Sequence, residues 1–250
     1  MAGLFATAVR PAILAAGRFD GLRHTAGRLP LTRRVVDRFV AGETLEQVLN
    51  GVAVLRDSGR MVSIDHLGED VTDVDGATAG MEAYLALLDA LGRRGDATRE
   101  GVRPLEVSVK LSALGQALER DGEKIARENL HTICARAQRV GAWVAVDAEG
   151  HATTDSTLSI VSDLRADFGW LGVVLQAYLH RTLGDCRQCA ADGTRVRLCK
   201  GAYDEPASVG YRDRRAVTDS YLACLRVLMA GSGYPMVASH DPAIIEAVPS

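Results

Sequence analysis

From residue 61 onward, six short apolar runs rich in β-branched residues alternate with longer segments of helical periodicity. This alternation constrains the fold more than any other feature of the chain. A strand, a helix and a further strand in succession imply a crossover, and crossovers build parallel sheets. The predicted strands are Met61–Leu67, Leu105–Leu111, Ala142–Asp147, Trp170–Gln176, Thr194–Cys199 and Tyr234–Ser239. Helices are predicted around Met81–Leu91, from near Asp121 to a stop at Gly141, around Ser156–Phe168 and around Ala216–Met229. The segment holding Cys186 and Cys189 reads as a polar connection. Residues up to about 60 read as helical: Thr44 and Gln47 form a capping box, and Leu45, Val48, Leu49, Val52 and Leu55 follow with helical spacing towards Gly59. The predicted organisation is a helical arm over residues 1–60 and a barrel over 61–250.

Two architectures satisfy a parallel sheet, a doubly wound open sheet and a closed barrel. The first strand runs into Gly68-Glu69-Asp70, and no G-x-G-x-x-G opens a helix. The expectation is therefore an α/β chain of the (β/α)8 TIM type. Such a barrel has eight strands, and about six can be counted. The chain stops shortly after Asp241-Pro242, a helix cap followed by a first-turn proline. The last strands and helix are expected to lie beyond Ser250.

Composition excludes several classes of function. At 250 residues, 47% hydrophobic and 24% charged, the chain can bury one large core. A net charge of -3 without a long basic run argues against nucleic acid. Five cysteines make an odd number, so no disulfide framework is expected and a reducing compartment fits better. Cys186 and Cys189 form one C-x-x-C, and zinc needs two further ligands, so no metal site is expected. The N-terminus has no basic region ahead of its apolar stretch and is not a secretory signal; Arg-containing and free of acids until Asp20, it has the look of a transit peptide but reads better as a first helix. No run reaches the roughly 18 apolar residues of a membrane span.

In a barrel of this type the active site lies at the C-terminal strand ends. Read in order, those ends offer Asp65 and His66, Lys110, Asp147 with Glu149, Gln176, Arg197 with Lys200, and Ser239 with His240. Of 29 basic residues only Lys110, Lys124 and Lys200 are lysine, and two of the three fall at strand ends. A lysine there can form a Schiff base, pair with a carboxylate or hold phosphate. In Arg195-Val196-Arg197-Leu198-Cys199-Lys200-Gly201-Ala202-Tyr203, Lys200 is followed by two small residues whose N–H groups can join it on an anion. Asp147 is either a catalytic partner or half of an ion pair with Lys110.

At these positions the sequence resembles the FAD-dependent proline dehydrogenases of the bacterial monofunctional type. The resemblance is carried by Asp65–Glu69, Glu106–Ser112, Val146–Glu149, Leu175–Tyr178, Arg197–Tyr203, Thr218–Leu222 and Ala238–Asp241, and runs from about residue 40 to the end. It implies a distorted (β/α)8 barrel with FAD at the strand ends. The implied reaction is oxidation of L-proline to 1-pyrroline-5-carboxylate, with electrons passed to a quinone. It also implies a cytoplasmic or membrane-peripheral enzyme, and pyrroline-5-carboxylate dehydrogenase as a candidate partner. By position, Lys110 is implied to pair with the proline carboxylate, and Asp147 and Arg197 to be the catalytic residues, with Arg197 beside the flavin. Gln176, Lys200, Gly201, Ala202, Ala148, Ser239 and His240 are implied FAD contacts, and Tyr203 is implied to line the site. Asp241 stands where the family often has asparagine, and Asp204 where an aromatic is frequent. The family's arginine pair that clamps the substrate carboxylate has no counterpart before Ser250. Two other readings remain open on the residues alone, a Schiff-base barrel aldolase using Lys110 and a non-catalytic barrel fragment.

Overall fold

The computed structural model describes Gly42 and residues 44–68, 71–93 and 105–248. The chain divides into two units, residues 1–59 and 60–250. In the first, helix α1 spans Leu45–Asp57. The expected capping box is present: Gln47 N–H donates to Thr44 Oγ1 at 3.3 Å, and Thr44 N–H donates to Gln47 Oε1 at 3.2 Å. Such a cap is worth about 1 kcal/mol. Residues 1–41 and 43 of the predicted arm lie outside the described residues.

The second unit alternates strand and helix throughout. Its elements are β1 (Val62–Asp65), α2 (Val74–Arg93), β2 (Leu105–Val109), α3 (Gly122–Val140), β3 (Trp143–Val146), α4 (Thr154–Leu164), β4 (Gly172–Gln176), α5 (Thr182–Ala191), β5 (Arg195–Cys199), α6 (Arg214–Ala230), β6 (Pro235–Val237) and the short α7 (Pro242–Ile245). All six strands are parallel and pair in sequence order, β1-β2-β3-β4-β5-β6. A doubly wound sheet reverses its order at a switch point. Here each new strand adds to the same side, which is barrel order. The six predicted strands are all present, trimmed at their ends.

One expectation is overturned. The Cys186–Cys189 segment is helix α5, not a polar connection. Thr182, Cys186, Cys189 and Ala190 form its buried face, spaced at helical intervals. The cysteines behave as small apolar residues there, which the polar residues between them conceal. The predicted stop of α3 at Gly141 holds. Its φ of 76° is left-handed, a conformation glycine adopts without the β-carbon penalty.

Strand parity sorts the core from the site. On one face, Ile64, Val107, Val109, Val144, Val146, Val173, Leu175, Val196 and Leu198 are buried. Each fully buried side chain of this kind contributes about 1.5–3 kcal/mol. The opposite face carries Ser63, Asp65, Glu106, Ser108, Asp147, Gln176, Arg195 and Arg197. Ser63 and Asp65 are exposed, but the others are buried or half-buried and need partners, because an unpaired polar group there is costly.

Candidate active site

The polar face supplies those partners across four strands. Lys110 follows β2, and its Nζ contacts Asp65 Oδ2 at the end of β1 and lies 3.5 Å from Asp147 Oδ2 beyond β3. The predicted Lys110–Asp147 pair is thus present, with Asp65 as the nearer partner. Arg197, from β5, reaches over the same surface. Its Nη2 donates to Ser108 Oγ and lies 3.5 Å from Asp147 Oδ1, while Nη1 donates to Ser63 Oγ at 3.2 Å. Lys110, Asp147 and Arg197 therefore meet in one cluster. Asp147 sits between the two cations and fixes their spacing.

Beneath this layer, Arg195 Nη2 donates to Glu106 Oε2 at 2.7 Å, and Arg197 Nη1 lies 3.8 Å from Glu106 Oε1. Three carboxylates, Asp65, Glu106 and Asp147, thus face three cations, Lys110, Arg195 and Arg197. Fully buried Tyr84, from α2, supports the rim. Its hydroxyl donates to Ser108 O at 2.7 Å and accepts from His66 N–H at 3.3 Å. Burial, reinforced by the charge of Asp65, pushes the Tyr84 hydroxyl well above the usual phenol range, so it remains a donor.

The predicted cofactor contacts fall around this cluster. Ala148 N–H donates to Asp147 Oδ1 at 3.2 Å. Gln176 is buried at the end of β4 and donates from Nε2 to Glu149 O at 2.8 Å. Glu149 is itself held by Ser112 through the backbone N–H, at 3.1 Å, and the hydroxyl. A second patch lies at the ends of β5 and β6. There Lys200 Nζ contacts Asp241 Oδ2 and donates to Thr218 Oγ1 at 3.1 Å. Ser239 Oγ accepts from Asp241 N–H at 3.1 Å. Ala202, Tyr203 and His240 are exposed. Gly201 makes a close approach, and its neighbour there is the Tyr178 ring.

Sequence reasoning missed Ser63, Glu106, Ser108, Arg195 and Tyr84, and gave Asp65 no partner. A signal existed for the strand residues, the two-residue alternation read through each strand instead of at its end. Arg195 and Arg197 share a face, as do Glu106 and Ser108.

The proline dehydrogenase family model matches residues 48–248. This chain belongs to the proline dehydrogenase family. A proline dehydrogenase from Deinococcus radiodurans is 35% identical over 218 residues, covering 86% of this chain and 67% of the relative. Proline dehydrogenase 1 of Bacillus subtilis is 32% identical over 214 residues, covering 86% and 68%. Among solved structures, proline utilization A from Bdellovibrio bacteriovorus superposes with a TM-score of 0.77 at 23% identity. The alignment covers 86% of this chain but only 26% of that one, so the likeness concerns the fold of one part of a longer protein. The family is one of enzymes that oxidise proline, and the charged cluster at the strand ends lies within the matched residues.

Proposed function

We propose that this chain oxidises L-proline to 1-pyrroline-5-carboxylate, with FAD bound across the strand ends and a quinone as the final electron acceptor. One observation carries the reading: Lys110, Asp147 and Arg197 converge on one surface within the family match. The donor set fits a flavin dinucleotide. Arg197 offers a guanidinium at the centre, Gln176 a buried amide at its edge, and Lys200 an ammonium at the rim for an anionic pyrophosphate. FAD, when bound, supplies the hydride acceptor.

The chain's own residues bind and orient. Lys110 pairs with the proline carboxylate, a contact that trades against its bonds to Asp65 and Asp147. Asp147 holds Lys110 and Arg197 at fixed spacing, and so orders the polar surface the substrate meets. Proline is a zwitterion and near neutral overall, which suits a cluster whose charges already balance. Ala148, Gly201, Ala202, Ser239 and His240 complete the cofactor contacts around Gln176 and Lys200.

Among the described residues, no helix is long and apolar enough to cross a membrane. A peripheral membrane contact near the quinone, and transfer of the product to a pyrroline-5-carboxylate dehydrogenase, belong to this same proposal.

A Schiff-base aldolase needs an uncharged amine. A nitrogen held between Asp65 and Asp147 is a salt-bridge nitrogen instead, which favours the dehydrogenase. Purified protein incubated with FAD should retain oxidised-flavin absorbance after gel filtration and reduce a dye only when proline is added. Protein that takes up no flavin, or whose bound flavin is indifferent to proline, would overturn the reading.

A further inference from the structure

We infer that Glu106 is a positioning residue that fixes the Arg197 guanidinium through a hydrogen-bonded network whose buried end is anchored on Arg195. The inference rests on the proposed place of Arg197 beside the flavin. Glu106 lies on the inner face of β2 and is 7% exposed. Its two oxygens have separate duties. Oε2 accepts from Arg195 Nη2 at 2.7 Å. Oε1 accepts from Ser63 Oγ at 2.8 Å and lies 3.8 Å from Arg197 Nη1. Ser63 Oγ also accepts from Arg197 Nη1 at 3.2 Å. The serine hydroxyl therefore relays between Arg197 and Glu106, receiving from one and donating to the other.

The Arg195 end of this network is packed in place. The Arg195 guanidinium carbon lies 3.2 Å from the centroid of the Trp143 ring, a close cation–π contact. Gly172 leaves the room for it, since a β-carbon there would sit 3.2 Å from Arg195 Nη1. Arg195 and Arg197 are two residues apart on β5, so their side chains share one face and repel. The carboxylate between them offsets that repulsion in a medium that screens poorly. Without it, one guanidinium must move. Arg197, with a side chain 22% exposed against 8% for Arg195, is the one with room to do so.

A purely structural Glu106 would behave differently. Its loss would lower stability yet leave Arg197 in place. Removal of a nearby negative charge would then make reduction of a bound flavin easier. Displacement of Arg197 does the opposite, because a cation that favours the reduced flavin is withdrawn.

The test is Glu106→Gln in the full chain, with Ser63→Ala as a second variant in case the first folds poorly and Glu106→Asp as the conservative rescue. Arginine side chains are labelled with 15N, and the Arg197 resonances are assigned by comparison with Arg197→Lys. The wild type should show restricted rotation of the Arg197 guanidinium. Glu106→Gln and Ser63→Ala should release it, and Glu106→Asp should restore it in part. With flavin bound, Glu106→Gln should shift the midpoint potential to more negative values and lower kcat about tenfold with a smaller change in KM, the loss of one charge-assisted contact. Unchanged Arg197 resonances in both variants would overturn the inference, whatever the potential does. The resonance measurement needs neither cofactor nor substrate. A wild type indifferent to proline whose Arg197 is nonetheless released by Glu106→Gln would sink the proposed reaction and leave the positioning role standing.

Discussion

Gly201 stands so close to Tyr178 that a β-carbon at position 201 would lie 2.1 Å from the Tyr178 Cδ1 atom. The backbone there has a φ of +107°, which disfavours any L side chain. Both facts arise where β5 ends and the chain turns out towards the rim. Gly201→Ala must therefore strain the turn and push the ring away. The expected cost is about 1–3 kcal/mol, read as a lower urea midpoint. Flavin affinity should fall with it, because Lys200 and Ala202 flank the displaced residue. An alanine variant with wild-type stability would show that the ring yields freely.

Lys110 is 10% exposed at its side chain, whereas Asp65 and Asp147 are 31% and 24% exposed. Solvent screens the carboxylates, so Lys110→Met should cost only about 1–2 kcal/mol of stability. The effect on proline should be larger. A lost charge-assisted contact of about 1.5–3 kcal/mol lowers kcat/KM ten- to hundredfold. Steady-state dye reduction over a range of proline concentrations measures this directly. Borohydride with a carbonyl substrate should trap no adduct on Lys110.

The strand ends were legible in the sequence because an apolar run followed by a polar residue marks them locally. Lys110, Asp147, Arg197 and Lys200 were found in this way, and the scarcity of lysine sharpened the choice. The layer beneath was not legible. That Glu106 meets Arg195 depends on the register carried from β2 through β3 and β4 to β5 and on the curl that brings β2 towards β5. These are contacts across 89 residues, and no local pattern sets them. Helix α5 was hidden for a different reason, since its buried face is built from cysteine, threonine and alanine in place of larger apolar residues.

The five cysteines are free, and Cys199 alone among them is half-buried. Burial, followed by the charge of Asp147, pushes the Cys199 thiol up to about 11. About a thousandth of it is then thiolate at pH 8. Burial likewise raises Cys189 to about 11. A thiol reagent at that pH should modify the native protein slowly, at Cys199 first, and all five positions only on unfolding. Mass spectrometry of time points locates each adduct. Rapid native labelling of Cys186 or Cys189 would mean that α5 opens easily.

The contact between Lys200 and Asp241 sets the last expectation. Asp241 caps α7 by accepting from Ala243 N–H at 3.0 Å, and the ammonium of Lys200 holds its carboxyl below the ordinary carboxylate range. A depressed folded value stabilises the protein above the unfolded value of about 4 and ceases to do so as pH falls through the folded one. Asparagine keeps the cap, because its side-chain oxygen accepts the same bond, but carries no charge. Asp241→Asn should therefore be less stable than the wild type at pH 7, with the gap closing as pH falls below about 4. Urea midpoints across that range give the comparison. Flavin binding should move the other way. On the proposed reading, Lys200 released from Asp241 would present its full charge to the FAD pyrophosphate, so Asp241→Asn should bind FAD more tightly at pH 7 and with a steeper dependence on salt. Equal affinity in the two proteins would mean that Lys200 does not reach the cofactor's phosphates.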